Sequence, residues 1–148
     1  MKKIFFASPI SQNYGIAVVR IITGILLVYH GWEIFDGEKM KMYSGWFAEK
    51  KYASPSLWSY SGKFAELIAG IGFVLGLFTR LSAVVAIAAF AGIIFLLGDK
   101  GNVFQGDQHP FLFILLSVIF IFTGGGLMSF DNLIFKRKDG NPNKENFW

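Results

Sequence analysis

LSAVVAIAAFAGIIFLLG, residues 81–98, contains no charged residue and hardly a polar one. Long apolar runs of this kind, separated by polar punctuation, are the signature of an integral membrane protein. FLFILLSVIFIFTGGGLMS, residues 111–129, is equally free of charge. About 20 mostly apolar residues are needed to cross about 30 Å of hydrocarbon. Working outward from these two, residues 14–35 and 57–78 make two further runs of that length, each carrying a few charges. The expected fold is all-α: an integral membrane antiparallel four-helix bundle, with every backbone group satisfied inside its own helix.

The composition agrees. Hydrophobic residues make up 53% of the chain, with 17 Phe, and charged residues only 16%; mean hydropathy is +0.48. Cysteine is absent, which excludes thiol–disulfide exchange and c-type haem attachment as this chain's own chemistry. The net charge of +4 comes largely from tail lysines, which settle against anionic lipid heads and give no sign of nucleic acid.

The connections predict the packing. Residues 78–81 leave almost no loop between the second and third runs, so these form a tight hairpin. The first connection, GEKMKMYSGWFAEKKYASPS, is expected to hold a short amphipathic helix in the interface, with Trp46, Tyr52, Trp58 and Tyr60 in an aromatic belt. Ser54–Pro55–Ser56 then starts the second run, with serine as a cap and proline in the first turn. Residues 1–13 read as a cytoplasmic lead without a signal-peptide h-region. Residues 130–148 read as a polar cytoplasmic tail. Lys2, Lys3, Arg80, Lys136, Arg137 and Lys138 gather on the side of the termini, against Lys39, Lys41, Lys50, Lys51 and Lys100 on the other. The positive-inside rule therefore puts both termini in the cytoplasm, for a multi-pass protein of the inner membrane. Gly98 and Pro110 bracket the second outward loop, DKGNVFQGDQH. Helix contacts are expected at Ala65/Ala69, Gly72/Gly76 and Ala88/Gly92, small residues four apart.

Charges inside a span are costly and call for partners. His30, Glu33 and Lys63 lie near the outward ends of the first two helices, with Glu66 one turn deeper, three residues after Lys63 and on the same face. Asp107 and His109 hang over that end. A polar pocket opening outward is the inference, with Trp32 and Phe64 available to pack on a ring. Arg20 lies near the cytoplasmic end, about 9 Å from Glu66 in ideal depth, and is expected to reach it as a deep polar link. The plainer reading is that these charges neutralise one another and hold the register. His30 and His109 are the only histidines; one isolated pair is a thin basis for haem or metal, and His30 reads better as a hydrogen-bonding or proton-relay group.

Together these residues resemble the DoxX family of small four-helix membrane proteins. Arg20, Gly24 and the His30–Gly31 step match its first helix. AELIAGIGFVLGLFTR matches its second, with Glu66, Gly70, Gly76 and the closing Arg80. GGGLMSFD resembles its glycine-rich ending, with Gly124, Gly126, Ser129 and Asp131. Where many members carry a lysine after the His–Gly step, this chain has Trp32, Glu33 and Ile34, and Lys63 stands on the neighbouring helix. The resemblance implies a membrane subunit of a redox or oxidative-stress system that handles a quinone or similar lipid-soluble molecule. Glu66, Arg20 and His30 would then be the catalytic groups, and Glu33, Lys63, Trp32, Phe64 and His109 the binding ones. No side chain here stores electrons, so a soluble or membrane redox partner is implied; a homo-oligomer stays open. A non-catalytic scaffold for a soluble partner, and a transporter of protons or a small solute, are the alternatives.

Overall fold

The computed structural model describes residues 12–98, 106–126 and 128–136. The N-terminal lead, most of the second outward loop with Lys100, and the tail from Arg137 onward lie outside these. The described residues form helices and no strand. They are α1 (Gln12–Gly31), extended by a 3₁₀ turn (Trp32–Phe35), α2 (Gly37–Glu49), α3 (Pro55–Leu75), α4 (Thr79–Gly92), extended by a π turn (Ile93–Leu97), α5 (Gln108–Thr123) and α6 (Phe130–Lys136). Tyr14–Phe35 and Thr79–Leu97 are long and apolar enough to cross a membrane; Gln108–Thr123 is apolar but shorter.

α1 packs along α3, α3 on α4 and α4 on α5, and α5 touches α1 again. The closest approach is between α1 and α3, and glycine makes it possible. A Cβ at Gly24 would come within 2.6 Å of the Val74 nitrogen, and one at Gly70 within 2.6 Å of the Val28 nitrogen. Gly31 meets Leu67 in the same way. The expected small-residue pairs serve this less well. Gly72 lies against Ser82 on α4, Gly76 ends α3, and Gly92 has open space beside it. Behind the seam, Leu27, Ala69, Phe73, Ala83, Ala86, Phe90, Phe113 and Phe120 form the buried core. Phe90 stacks on Phe113 at 4.9 Å, and Phe73 meets Phe120 edge-on at 5.0 Å. Away from the core the surface stays apolar: Val18, Ile22, Ile25 and Tyr29 form one exposed stripe along α1 at helical spacing.

The first connection does form a helix. Asp36 starts α2 by accepting from the Glu38 and Lys39 backbone nitrogens at 3.1 and 3.2 Å, satisfying two of the orphan donors of a first turn. Lys50 then ties the far end of α2 to the Leu97 and Gly98 carbonyls. Ser54 precedes α3 with φ 57° and no side-chain cap bond, so Pro55 rather than the serine side chain marks the start.

At the opposite end, two expectations need correcting. The fourth run does not continue to residue 129: α5 stops at Thr123, because Gly124 (φ 67°) and Gly126 (φ 71°) take a left-handed path open to glycine but strained for other residues. The stretch expected as a polar tail from residue 130 begins with a helix. α6 starts there, and Asp131 reaches across to the hairpin between α3 and α4, accepting from the Phe78 nitrogen at 2.7 Å and the Thr79 nitrogen at 2.8 Å. Its own backbone nitrogen donates to Gly76 O at 2.9 Å. Ser129 supports the turn, donating to Gly126 O at 2.7 Å and accepting from the Asn132 nitrogen. Phe78, at φ 48°, holds a conformation that costs a non-glycine residue about 1–2 kcal/mol. The Asp131 bond to its nitrogen offsets that.

Candidate functional site

Lys63 is the centre of the site. The face of α3 that carries it looks toward the 3₁₀ turn ending α1 and toward α2. Its Nζ sits 3.0 Å from Glu33 Oε2 and 3.0 Å from Glu66 Oε2, and donates to the His30 carbonyl at 3.3 Å. It also lies 4.8 Å from the centre of the Tyr43 ring, within cation–π range. From α3, Lys63 thus touches both His30 and Glu33 at the end of α1.

Glu33 is the most heavily bonded carboxylate. Besides Lys63, its Oε1 takes Lys39 Nζ at 2.6 Å and its Oε2 takes the Tyr43 hydroxyl at 2.6 Å. Lys39 and Tyr43 are four apart on α2, one turn of the same face. That spacing is the signal by which sequence reasoning, which named neither as a site residue, would have found them. The Glu33 hydrogen bond, foremost, raises the Lys39 ammonium above its ordinary value. Burial, then the Glu33 hydrogen bond, pushes the Tyr43 phenol up, so it stays protonated and donating.

Glu66 is 2% exposed and is held by Lys63 alone among the bonds of the site. An unpaired carboxylate at such a place would cost several kcal/mol. It lines a cavity of about 110 Å³ under α2, with Tyr43, Trp46, Phe47, Trp58, Ser59, Lys63 and the end of α4 as further walls. Ser44 and Ser59 join α2 to α3 across its rim at 2.8 Å. On the other side of Glu33 lies a wider groove of about 780 Å³, bounded by Tyr29, Trp32, Phe35, Asp36 and Lys39. Trp32 is 62% exposed and meets Phe35 edge-on at 5.1 Å. Glu33 and Lys39 are common to the groove and to the ion chain, and Glu33 is the one that passes it on to Lys63 and the cavity.

The remaining expected residues separate. The His30 and His109 rings touch edge-to-face at 5.0 Å, and Phe113 packs against both. They stand beside the ion chain, and contact each other rather than flanking a gap. Among the described residues no cluster of three or more metal-ligating side chains occurs. Asp107 is buried against Gly98, apart from Lys63 and Glu33. Phe64 is 55% exposed and lines neither the cavity nor the groove.

Arg20 is the clear correction. It does not reach Glu66. Fully buried, it turns to the other end of the molecule, where Nη1 donates to the Phe73 and Val74 carbonyls and Nη2 to the Met128 carbonyl. The last carbonyls of a helix lack amide partners and carry its negative pole, so the end of α3 draws the guanidinium as a carboxylate would. Gly76, at φ 64°, lets it in: a Cβ there would lie 2.6 Å from Arg20 Nη1. Gly124, Gly126, Ser129 and Asp131 assemble around the same end, so these motif residues hold the fold there and Gly70 holds the α1–α3 seam.

A family model described as DoxX matches residues 15–99. "Putative oxidoreductase CatD" of Bacillus subtilis (strain 168) is 30% identical over 133 residues, covering 88% of this chain and 96% of that protein. An "Uncharacterized protein" of Haemophilus influenzae is 31% identical over 132 residues, covering 85% of this chain and 95% of that one. No solved structure matches.

Proposed function

The chain belongs to the DoxX family, and from that membership together with the ion chain around Lys63 we propose that it is a multi-pass inner-membrane component of a redox system, with both termini cytoplasmic. α1, α3, α4 with its π turn, and α5 form a four-helix bundle whose exposed apolar stripes face lipid, and α2 lies across the outward end. The occupant of the groove is a quinone or similar lipid-soluble ring compound.

The observation that carries this reading is the position of Glu33 between groove and cavity. A ring entering from the lipid lies against Trp32, Tyr29 and Phe35, and offers a carbonyl oxygen to Lys39 Nζ, which keeps donors beyond the one given to Glu33. The groove's volume falls within the ordinary range of ligand sites, about 300–1,000 Å³. Reduction of a quinone to its quinol takes two electrons and two protons. The electrons come from a redox partner protein. The protons pass through Glu33, which is resupplied along Lys63 and Glu66 from the inner cavity, with room for several waters at about 10–15 Å³ each. The name of the Bacillus relative supports the redox class.

The test uses the full chain purified in mild detergent and titrated with a short-chain benzoquinone or naphthoquinone, read by quenching of tryptophan fluorescence, with mass spectrometry of co-purifying lipids. Saturable quenching is expected. Trp32→Ala should weaken it by about three- to tenfold, the worth of one aromatic contact. Absence of saturable binding with any quinone, together with no co-purifying ring compound, refutes the proposal.

A further inference from the structure

A second pocket, of about 620 Å³, opens at the far end of the molecule, between the α3–α4 hairpin and the glycine-rich turn before α6. Its walls include Phe78, Thr79, Arg80, Leu81, Gly125 and Asp131. Three features set its chemistry. Arg80 is exposed in the first turn of α4 and lines the opening. Thr79 is fully buried, yet its hydroxyl has no hydrogen-bond partner; a Cβ at Gly125 would come within 2.8 Å of that oxygen, so only glycine fits against it there. Phe78 and Leu81, both largely exposed, present apolar surface beside the charge.

Asp131 would repel an anion if its charge were free. Both its oxygens are instead spent on the Phe78 and Thr79 nitrogens, and the buried Arg20 guanidinium faces it electrostatically. With Arg20, Arg80 and Asp131 together, the local balance is one positive charge, and the one exposed to the pocket is Arg80.

We propose that this pocket binds the phosphate headgroup of an anionic phospholipid, with Arg80 as its cation, the Thr79 hydroxyl as a donor, and Phe78 and Leu81 against the upper acyl chains. The claim rests on the reading of the chain as membrane-spanning and is independent of what fills the groove near Glu33. Arg80 begins the apolar stretch Thr79–Leu97, which puts it at headgroup depth on the side where anionic lipid attracts basic residues.

The experiment is native mass spectrometry of the detergent-solubilised full chain with phosphatidylglycerol, phosphatidylcholine, or inorganic phosphate in excess. Membrane insertion is checked separately, by carbonate extraction of the cell membranes. The folded chain should retain phosphatidylglycerol in preference to phosphatidylcholine. Arg80→Gln should reduce that retention by about five- to tenfold, the worth of one cation near an anionic head. Thr79→Val should reduce it further, and Lys41→Gln, a change at an exposed residue of α2, should leave it intact. Quinone quenching should be unchanged in Arg80→Gln, which separates this site from the other. Equal retention of the two lipids overturns the proposal, as does wild-type binding by Arg80→Gln or an equal loss in Lys41→Gln. If inorganic phosphate displaces the lipid completely, the site is one for free phosphate and the lipid assignment falls. Arg80 is exposed, so that variant folds and remains decisive even if Thr79→Val does not.

Discussion

Replacing Lys63 with methionine tests whether one cation holds the site together. The change keeps the length of the stem and removes four contacts: Glu33 and Glu66, each at 3.0 Å, the His30 carbonyl at 3.3 Å, and the cation–π contact with the Tyr43 ring at 4.8 Å. The two carboxylates suffer unequally. Glu33 keeps Lys39 and Tyr43, both at 2.6 Å, and loses little. Glu66, with a side chain 3% exposed, is left without a counter-charge, and removing one partner of a buried pair costs about 3–5 kcal/mol. The single variant should therefore lose about 3–4 kcal/mol. The double variant Lys63→Met with Glu66→Gln removes the stranded charge as well, and neutral groups in place of a buried ion pair are often tolerated without net loss. It should recover at least about 2 kcal/mol of the deficit, giving a coupling of that size in a double-mutant cycle. Denaturant titration in mixed micelles, followed by far-ultraviolet circular dichroism, measures all four corners of the cycle. A single variant within about 1 kcal/mol of wild type, the scale of an exposed pair, would refute the reasoning, and so would a double variant no more stable than the single.

Four further outcomes follow from the geometry. Gly70→Val puts side-chain atoms where even a Cβ lies 2.6 Å from the Val28 nitrogen, so α1 and α3 must separate and the folded yield should collapse, whereas Gly92→Val, with open space beside it, should leave the yield unchanged. Asp131→Ala removes both bonds at the start of α4 and should cost about 2 kcal/mol, the upper end for a lost helix cap, measured by the same titration. Arg20→Lys keeps the charge but not the fork that spans Phe73, Val74 and Met128; about 2 kcal/mol should be lost for the hydrogen bonds left unmade, while quinone quenching by the folded fraction stays at the wild-type level, since Arg20 lies outside the site. Lys39 and Tyr43 are both raised above their ordinary values, so their contribution to stability is complete below about pH 10 and is lost as pH rises beyond the ordinary pKa values of about 10–10.4; the alkaline fall in unfolding free energy should be shallower in Lys39→Gln and Tyr43→Phe, and unchanged slopes would disprove the link.

How far these features were legible in the sequence depended on whether a side chain's partner was another side chain. Helix rise converts residue number into depth and so puts His30, Glu33 and Lys63 near one end with Glu66 a turn deeper; Lys63 joins all of them, through Glu33, Glu66 and the His30 carbonyl. Arg20 defeated the same reasoning. A search for a compensating carboxylate finds Glu66, but the partners are backbone carbonyls, Phe73 and Val74 at the end of α3 and Met128 before α6, and nothing in residue identity marks a carbonyl as an acceptor until the helix end is known. Lys39 and Tyr43 were missed because the phase of α2 against α3 is set by tertiary packing, and polar residues in a connection read as solvated. The stop after Thr123 was hidden by composition, since GGGLM continues an apolar run while its backbone turns away.

The two ends of the molecule divide the polar residues by what their bonds leave over. At the α6 end, Asp131 gives both oxygens to backbone nitrogens, Arg20 gives Nη1 and Nη2 to carbonyls, and Ser129 closes the turn. Each such group is spent on a specific backbone atom, the pattern of residues that hold a fold. At the α2 end, the bonds run between side chains that can each change protonation, from Lys39 and Tyr43 through Glu33 and Lys63 to Glu66. A bundle needing only register would be served by one buried pair. Here four charges and a phenol form a connected row, one end open to an aromatic groove and the other to the half-open cavity under α2. Burial makes such a row costly, and each charge in it keeps an oppositely charged neighbour. The proposed function is therefore placed at the Glu33 end, and the residues around Arg20 are those that join α1 to the end of α3 and to the turn before α6.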